Sequence, residues 1–132
     1  MKVTPDTNVL VRFLVRDDPS QAAAAQKLLS EAALIVLTIP TLCELSWVLS
    51  RAYRLKRSEI AEIIGNLIES AKVAVDRRAV EAGLALLVAG ADFADGVIAY
   101  QGTASGADVF ASFDKRAVRI LAANGDAAVL VS

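Results

Sequence analysis

Short apolar runs rich in β-branched residues alternate along this chain with longer segments whose apolar positions recur at helical spacing. Five runs are predicted as strands: Lys2–Pro5, Leu34–Thr38, Val73–Val75, Asp108–Ser112 and Ala127–Val131. Strands that alternate with helices in this way pair in parallel through crossover helices. The pattern therefore predicts an α/β domain with three layers, α/β/α.

Seven helices are predicted from the periodic segments and from the residues that flank them. Their approximate bounds are Thr7–Val15, Asp18–Ala32, Pro40–Tyr53, Arg57–Ser70, Asp76–Gly90, Asp92–Gly106 and Lys115–Ala123. Asp18 and Pro19 are typical of a helix N-terminus, and Gln21 stands where a capping box has Glu or Gln. Because 132 residues suit one domain and no linker or repeat interrupts the pattern, residues 1–132 are predicted to form a single domain.

The composition narrows the chemistry that this domain can perform. The chain has no histidine and a single cysteine, Cys43, which excludes Ser-His and Cys-His catalysis, internal disulfides and zinc sites built from histidine or several thiolates. A metal ion would have to be held by oxygen, which favours magnesium or manganese. The net charge of −1 gives no general basic surface for RNA. No apolar run approaches a membrane span and the N-terminus lacks the apolar core of a signal peptide, so we expect a cytoplasmic protein.

Four acidic residues are predicted at one end of the sheet, where α/β proteins place their sites. Asp6 follows the first strand and Asp114 follows the fourth. Asp95 lies in the first turn of a helix, and Glu44 lies one turn into the helix after the second strand. Structural alternatives exist, since Asp6 and Asp114 also suit helix N-caps. Asp95 also suits the positive end of a helix dipole, with Asp92 as the cap.

Glu44 is the hardest of the four acids to explain as structural. Its i+3 and i+4 neighbours are Trp47 and Val48, so it is expected on an apolar helical face, where an unpaired carboxylate is costly to bury. An ion pair with Arg12 or Arg51 is the structural alternative. Either a partner cation or a functional role is therefore expected for this side chain.

The four acids together suggest a bound cation. Carboxylates about 4 Å apart repel by roughly 4 kcal/mol per pair at an effective dielectric of about 20. A fold tolerates this repulsion if a divalent cation neutralises the group or if some acids stay protonated, and the lack of histidine favours the cation. A cation held by carboxylates activates water and binds a phosphate oxygen, so we hypothesise metal-assisted hydrolysis of a phosphate ester.

Four blocks of the chain, in order, resemble the motif blocks of PIN domains. The blocks are Asp6-Thr7-Asn8-Val9-Leu10, the helix that carries Glu44, the segment Asp92-Phe93-Ala94-Asp95-Gly96-Val97-Ile98-Ala99, and Ser112-Phe113-Asp114. The resemblance spans the whole chain and is strongest to toxins of the VapC type. One departure is Pro5, which stands where the family usually has an apolar strand residue and is expected to shorten the first strand and shift Asp6 slightly.

The resemblance implies a five-stranded parallel sheet and an endoribonuclease that needs Mg²⁺ or Mn²⁺ and hydrolyses RNA with metal-activated water. The acidic set that it implies around the metal consists of Asp6, Glu44, Asp95 and Asp114. The polar neighbours that it implies are Asn8 and Ser112, with Asp92 either a cap or an outer acid near a second metal. It further implies a homodimer and a cognate VapB-type antitoxin whose C-terminal segment blocks the cleft.

Contacts with an RNA substrate would come from local basic residues. Lys115 and Arg116, beside Asp114, are the best candidates for a phosphate contact, and Arg12 on the first helix is a further one. Most other basic side chains are expected to be solvated surface.

Two other functions fit parts of the pattern. A phosphoacceptor receiver or a haloacid-dehalogenase-like phosphatase shares this kind of sheet, and Lys115 after the fourth strand matches a receiver in part. That phosphatase needs a second Asp where the chain has Asn8. A receiver needs adjacent acids after its first strand and a phosphoacceptor Asp after its central strand, and this sequence lacks them. A catalytically silent interaction domain of the same fold is the other alternative, and the complete set of acids argues against it.

Overall fold

The computed structural model describes the whole chain, Met1–Ser132. The strands are β1 (Lys2–Val3), β2 (Leu34–Val36), β3 (Val73–Ala74), β4 (Phe110–Ser112) and β5 (Ala128–Leu130). The helices are α1 (Thr7–Val15), α2 (Pro19–Glu31), α3 (Ile39–Arg51), α4 (Arg57–Glu69), α5 (Arg77–Ala89), α6 (Phe93–Ala104) and α7 (Lys115–Ala123). The chain divides into two compact units, Met1–Asp76 and Arg77–Ser132, which we call the N-terminal and C-terminal units.

In the N-terminal unit, three parallel strands form a sheet in the order β1-β2-β3. Val3 lies opposite Ile35, which lies opposite Val73 on the other side. β1 ends at Val3 because the next residues leave the ladder: the Thr4 hydroxyl donates to a β2 carbonyl oxygen at 2.8 Å, and Pro5 has no N–H to donate. Pro5 therefore shortens the first strand, as predicted.

Helix α3 supplies the centre of the core in the N-terminal unit. Leu42, Leu45 and Leu49, spaced three and four residues apart, are each 0% exposed. Burying a leucine side chain in this way contributes about 1.5–3 kcal/mol relative to leaving it in water. Ile60 and Ile64 on α4 have the same spacing and are also buried. The apolar periodicity of the two helices thus accounts for their position against the core.

The C-terminal end of α2 is held by a lysine from outside the helix. The Lys72 ammonium group donates to the carbonyl oxygens of Leu29, Ser30 and Ala32 at 2.6, 3.0 and 3.1 Å. The last carbonyls of a helix have no partners within it, so these three bonds satisfy acceptors that would otherwise need water.

The N-terminus of α2 forms only half of the predicted capping box. The Asp18 carboxylate accepts a hydrogen bond from the Gln21 backbone N–H at 3.1 Å, as expected of an N-cap. The Gln21 side chain does not return to the cap. Its oxygen accepts from the Arg12 guanidinium at 2.6 Å, because a charged donor on α1 is available and forms the stronger bond.

In the C-terminal unit, β4 and β5 pair in parallel, with Ser112 opposite Leu130. Helices α5, α6 and α7 contribute a core made mainly of small aliphatic side chains. Its buried members are Leu86, Ala91, Ala99, Ala117 and Leu121.

Two glycines allow α5 and α6 to pack in close contact. A Cβ added to Gly83 would lie 2.6 Å from the ring of Phe93, and a Cβ added to Gly96 would overlap the backbone carbonyl of Ala82. A larger residue would displace the Phe93 ring at position 83 and the backbone of α5 at position 96. The backbone of α6 is therefore set against α5 immediately after Asp95.

The predicted fold class is confirmed, because the structure is a mixed α/β fold with seven helices and only parallel strands. Every predicted element is present, with bounds within two residues of those expected. Glycines follow the ends of α5, α6 and α7: Gly90, Gly106 and Gly125 have φ values of 110°, 108° and 89°, which an L side chain rarely adopts and which suit a helix stop.

The expectation of five strands in one sheet is wrong in its pairing. Hydrogen bonds join β1, β2 and β3 in one sheet and β4 and β5 in another. The strands are only two or three residues long, and the truncation of β1 before Thr4 leaves it two residues, which pair with β2. That residues 1–132 form a single domain stays a prediction. No helix has the length and hydropathy that a membrane span requires.

Candidate metal centre

The N-terminus of α6 carries two carboxylates on one side of the helix. Asp92 is the N-cap and Asp95 lies three residues later, a spacing that places side chains on the same face. Although Asp is a preferred capping residue, the Asp92 side chain makes no cap hydrogen bond. Its carboxylate oxygens therefore remain available to another ligand.

Asp114 brings a third carboxylate from the turn between β4 and α7. One of its oxygens, Oδ1, accepts hydrogen bonds from the backbone N–H groups of Arg116 at 2.9 Å and Ala117 at 3.2 Å, so Asp114 caps α7. The Ser112 hydroxyl oxygen accepts from the Asp114 backbone N–H at 2.9 Å and fixes the turn on its other side. The second carboxylate oxygen of Asp114, Oδ2, is not used by the cap.

The three carboxylates form one cluster. One oxygen from each of Asp92, Asp95 and Asp114 lies within 4.8 Å of the other two. Burial of the Asp95 carboxyl, followed by the negative charges of Asp92 and then Asp114, raises the pKa of Asp95 above its ordinary value of 3.8. No arginine or lysine pairs with any of the three, so the cluster carries uncompensated negative charge.

The donor set of this cluster fits a divalent cation. Hard cations such as Mg²⁺ and Mn²⁺ take carboxylate oxygens, and a chain without histidine offers no nitrogen ligand from that residue. The two oxygens of Asp92, the partly buried Asp95 and the unused oxygen of Asp114 are available in one place. A cation there would offset the burial and the neighbouring negative charges that together raise the pKa of Asp95.

Two predicted site residues stand at the start of α1. Asp6 is its N-cap, and its Oδ1 accepts from the Val9 backbone N–H at 3.0 Å. Asp6 therefore acts as the helix N-cap that was considered as its structural alternative, and it uses one of its two carboxylate oxygens to do so. Asn8 is exposed on the first turn of the same helix. Both residues belong to the N-terminal unit, and their participation in a metal site stays a prediction.

Glu44 lies on α3 in the N-terminal unit, and the reasoning that singled it out is wrong in one respect. The side chain is exposed rather than buried on an apolar face, because its i+3 neighbour Trp47 is itself 60% exposed. The expected ion pair is also absent: Arg12 pairs with Asp17 at 3.1 Å, and Arg51 lies over the Trp47 ring at 5.9 Å. Water can solvate Glu44, so the expected cost of burying its carboxylate no longer argues for a function. Its role as a metal ligand stays a prediction.

The three basic candidates for an RNA contact differ in how they are engaged. The Arg12 guanidinium is bound to Gln21 and Asp17. The Arg116 guanidinium donates to the Gly90 carbonyl oxygen at 3.2 Å. Lys115 is exposed and its ammonium group makes no hydrogen bond or ion pair. Of the three, Lys115 is the one whose charge is uncommitted.

Sequence reasoning undervalued Asp92 and missed Gly96. Asp92 was expected as a cap or an outer acid, yet it stands in the cluster with Asp95. The i, i+3 spacing of the two acids was the available signal, since it places both on one helix face. Gly96 positions Asp95 by its contact with α5, and a glycine inside an otherwise helical pattern was the signal for such close packing.

Comparisons with known proteins agree with the site. A family model described as the PIN domain matches residues 3–122, which is most of the chain. Searches of curated proteins and of solved structures returned no match. PIN domains are generally metal-dependent nucleases and usually bind a divalent metal through acidic residues, and this chain has an acidic cluster on α6 and before α7. The chain therefore belongs to the PIN domain family.

Proposed function

We propose that this protein is an endoribonuclease dependent on Mg²⁺ or Mn²⁺, and that it acts in the cytoplasm as the VapC-type toxin of a toxin–antitoxin pair. The observation that carries the proposal is the cluster of Asp92, Asp95 and Asp114 in a chain that belongs to a nuclease family. Three carboxylates with oxygens within 4.8 Å of one another and no basic partner repel each other, whereas a nuclease that binds a cation needs such a group.

Asp92, Asp95 and Asp114 would hold the cation, and their oxygens suit Mg²⁺ or Mn²⁺ better than zinc. When bound, a divalent cation stabilises negative charge on a phosphate oxygen and makes water more acidic. The chain's own contribution is to hold the three carboxylates in place. Asp95 is fixed by the contact of Gly96 with α5, and Asp114 is fixed by its bonds at the start of α7.

The remaining residues have supporting roles in this proposal. The Ser112 hydroxyl orients the backbone of Asp114, and the uncommitted ammonium group of Lys115 offers a contact for a phosphate of the RNA. Asp6 and Glu44 receive roles as further metal ligands from the resemblance to VapC-type toxins. Asp6 retains one carboxylate oxygen that its cap does not use, which supports such a role.

The toxin assignment includes two macromolecular partners, a cognate VapB-type antitoxin and a second copy of the chain. The motif blocks that resemble VapC-type toxins support both. Exposed apolar side chains on helices, among them Trp47 and Ile98, offer surface for such contacts. Light scattering after size exclusion, with and without a co-expressed antitoxin, would measure both assemblies.

The direct test is cleavage of structured RNA by the purified, antitoxin-free protein. Wild-type protein is expected to cleave with Mg²⁺ or Mn²⁺ and to stop when EDTA is added. Asp95→Asn removes a charge from the cluster, and Asp6→Asn tests the ligand that the resemblance adds; both are expected to lose activity. Equal cleavage by the wild type and both variants would contradict the proposal, because it would indicate a contaminant or another site.

A further inference from the structure

Phe113 is an exposed aromatic residue that adjoins the acidic cluster. Its side chain is 77% exposed, more than any other large apolar side chain except that of Met1. Single exposed apolar residues are common and need no explanation by themselves. The position of Phe113 is what distinguishes it, because Asp114, the next residue, contributes a carboxylate to the cluster.

The backbone on both sides of Phe113 is held by hydrogen bonds. Ser112 ends β4, and its hydroxyl oxygen accepts from the Asp114 N–H at 2.9 Å, so the bond spans Phe113. Asp114 in turn caps α7 through the N–H groups of Arg116 and Ala117. The exposed ring is thus attached to a constrained turn, which reduces the entropy lost when a ligand binds to it.

The other exposed aromatic residue of the chain differs in its surroundings. Trp47 is 60% exposed, and the Arg51 guanidinium lies over its ring at 5.9 Å. No cation or ring occupies Phe113 in the same way. A flat ligand can therefore reach the Phe113 ring without displacing an existing contact.

We propose that Phe113 is a base-stacking residue, whose ring receives an unpaired nucleobase of an RNA bound at the acidic cluster. The inference rests on the proposed function. Phe113 and Asp114 are consecutive residues with Cα atoms about 3.8 Å apart, so the ring projects from a backbone position next to the cluster. The chain has a net charge of −1, so general electrostatic attraction contributes little to RNA binding. Stacking supplies affinity that does not depend on charge.

Binding can be measured in Mg²⁺ with a fluorescein-labelled single-stranded RNA of mixed sequence and with the same strand paired to its complement. A gel checks that the strand stays intact. Phe113→Leu keeps an apolar side chain but removes the ring, and is expected to weaken binding of the single strand roughly 5- to 100-fold. Phe113→Tyr and Phe113→Trp are expected to bind as the wild type does. Val88→Ala, at another exposed apolar position of the C-terminal unit, is the matched control and should change nothing.

A fluorescence measurement detects the stack itself. The chain has one tryptophan, so the double variant Trp47→Phe, Phe113→Trp carries its only indole at position 113. Single-stranded RNA is expected to quench this indole strongly and duplex RNA weakly, whereas Trp47 in the wild type should respond to neither. The thermal stabilisation that Mn²⁺ gives should be the same in Phe113→Leu and in the wild type, since the ring is not a metal ligand.

The outcomes separate this inference from the nuclease proposal. If the wild type binds single-stranded RNA and the indole at position 113 of the double variant is quenched, but the wild type cleaves no RNA, the stacking role stands and the nuclease proposal fails. If the wild type cleaves RNA and Phe113→Leu binds and cleaves equally well, the stacking role alone is overturned. It is also overturned if no RNA binds, if Val88→Ala weakens binding as much, or if Phe113→Leu changes only the oligomeric state, which would place the ring at a protein interface.

Discussion

Several charged side chains of the N-terminal unit have local partners, whereas three clustered carboxylates of the C-terminal unit pair with no basic side chain. In the N-terminal unit, Asp17 accepts hydrogen bonds from the Arg12 guanidinium at 3.1 Å and from the Tyr53 hydroxyl at 2.9 Å. Lys72 binds three carbonyl oxygens at the end of α2, and Asp18 caps the start of that helix. Each of these charges has a local partner that accounts for its presence.

In the C-terminal unit, three carboxylates lie together with no arginine or lysine paired to any of them. Asp92 is at a helix N-cap and makes no cap bond, and the pKa of Asp95 is raised by burial and by its two acidic neighbours. Local partners account for these side chains of the N-terminal unit but not for Asp92 and Asp95. A functional site produces this pattern when its demands override stability. The informative feature is therefore the clustering of carboxylates that lack an arginine or lysine partner, and Asp114 belongs to it although one of its oxygens caps α7.

The largest expected effects come from truncating one N-cap aspartate in each unit. Asp92→Ala is expected to lower nuclease activity at least about 100-fold, as loss of a metal-site residue does, and to change the free energy of unfolding by less than about 0.5 kcal/mol. Asp18→Ala should do the reverse, with activity retained and stability lowered by about 1 kcal/mol, because its cap bond is lost. Initial cleavage rates and urea unfolding measure both. Loss of activity in Asp18→Ala with none in Asp92→Ala would invert the assignment.

A glycine inside a helix of each unit gives the next largest effect. Gly96→Ala places a methyl group against the Ala82 carbonyl, so we expect a loss of about 1–3 kcal/mol of stability and, because Asp95 is displaced, a further loss of activity. Gly65 on α4 has no atom within 4 Å of an added Cβ. Gly65→Ala should therefore stabilise the protein by about 0.5–1 kcal/mol and leave activity unchanged. Thermal unfolding of the pair decides the matter: equal effects would mean that α5 and α6 do not pack as closely as described.

The smallest effect is a difference in pH dependence between two aspartates. The folded state raises the pKa of Asp95, so its contribution to stability is present below the ordinary value of 3.8 and is lost as the pH rises through the raised pKa. The pKa of Asp17 is lowered, chiefly because its carboxylate accepts a hydrogen bond from the Tyr53 hydroxyl; burial opposes this shift and Arg12 adds to it. The contribution of Asp17 to stability is therefore lost as the pH falls through its lowered pKa. In EDTA, Asp95→Asn should become more stable than the wild type as the pH rises above 3.8. Asp17→Asn should be less stable than the wild type above this pH, and the difference in stability should shrink as the pH falls below 3.8. Melting temperatures across this range that diverge in the opposite sense would contradict the cluster electrostatics.

Most of the fold could be predicted from the chain because its elements are set by local signals. α1 and α7 have the predicted bounds, and the glycines after α5, α6 and α7 have the left-handed conformation expected of helix stops. The division of the strands into two sheets could not be predicted. It depends on which edges of two- and three-residue strands pair, and apolar patterning does not encode that choice.

The candidate site was predicted in part. Asp95 and Asp114 were expected to meet and they do, because one begins a helix and the other follows a strand. Glu44 was expected on a buried face, but a helix pattern cannot tell that the neighbouring Trp47 lies in solvent. The missing cap bond of Asp92 could not be predicted, since an N-cap position does not reveal whether the carboxylate bonds to its own helix.

Calorimetric titration of Mn²⁺ into EDTA-treated, dialysed protein measures directly whether Asp92, Asp95 and Asp114 hold a divalent cation. We expect saturable binding to the wild type and to Asp17→Asn, with stabilisation of about 2.7 kcal/mol when Mn²⁺ is at about 100 times its dissociation constant. Asp95→Asn should bind far more weakly and gain little. Binding of Mn²⁺ to Asp95→Asn with the affinity of the wild type, or no binding to the wild type at millimolar Mn²⁺, would contradict the account.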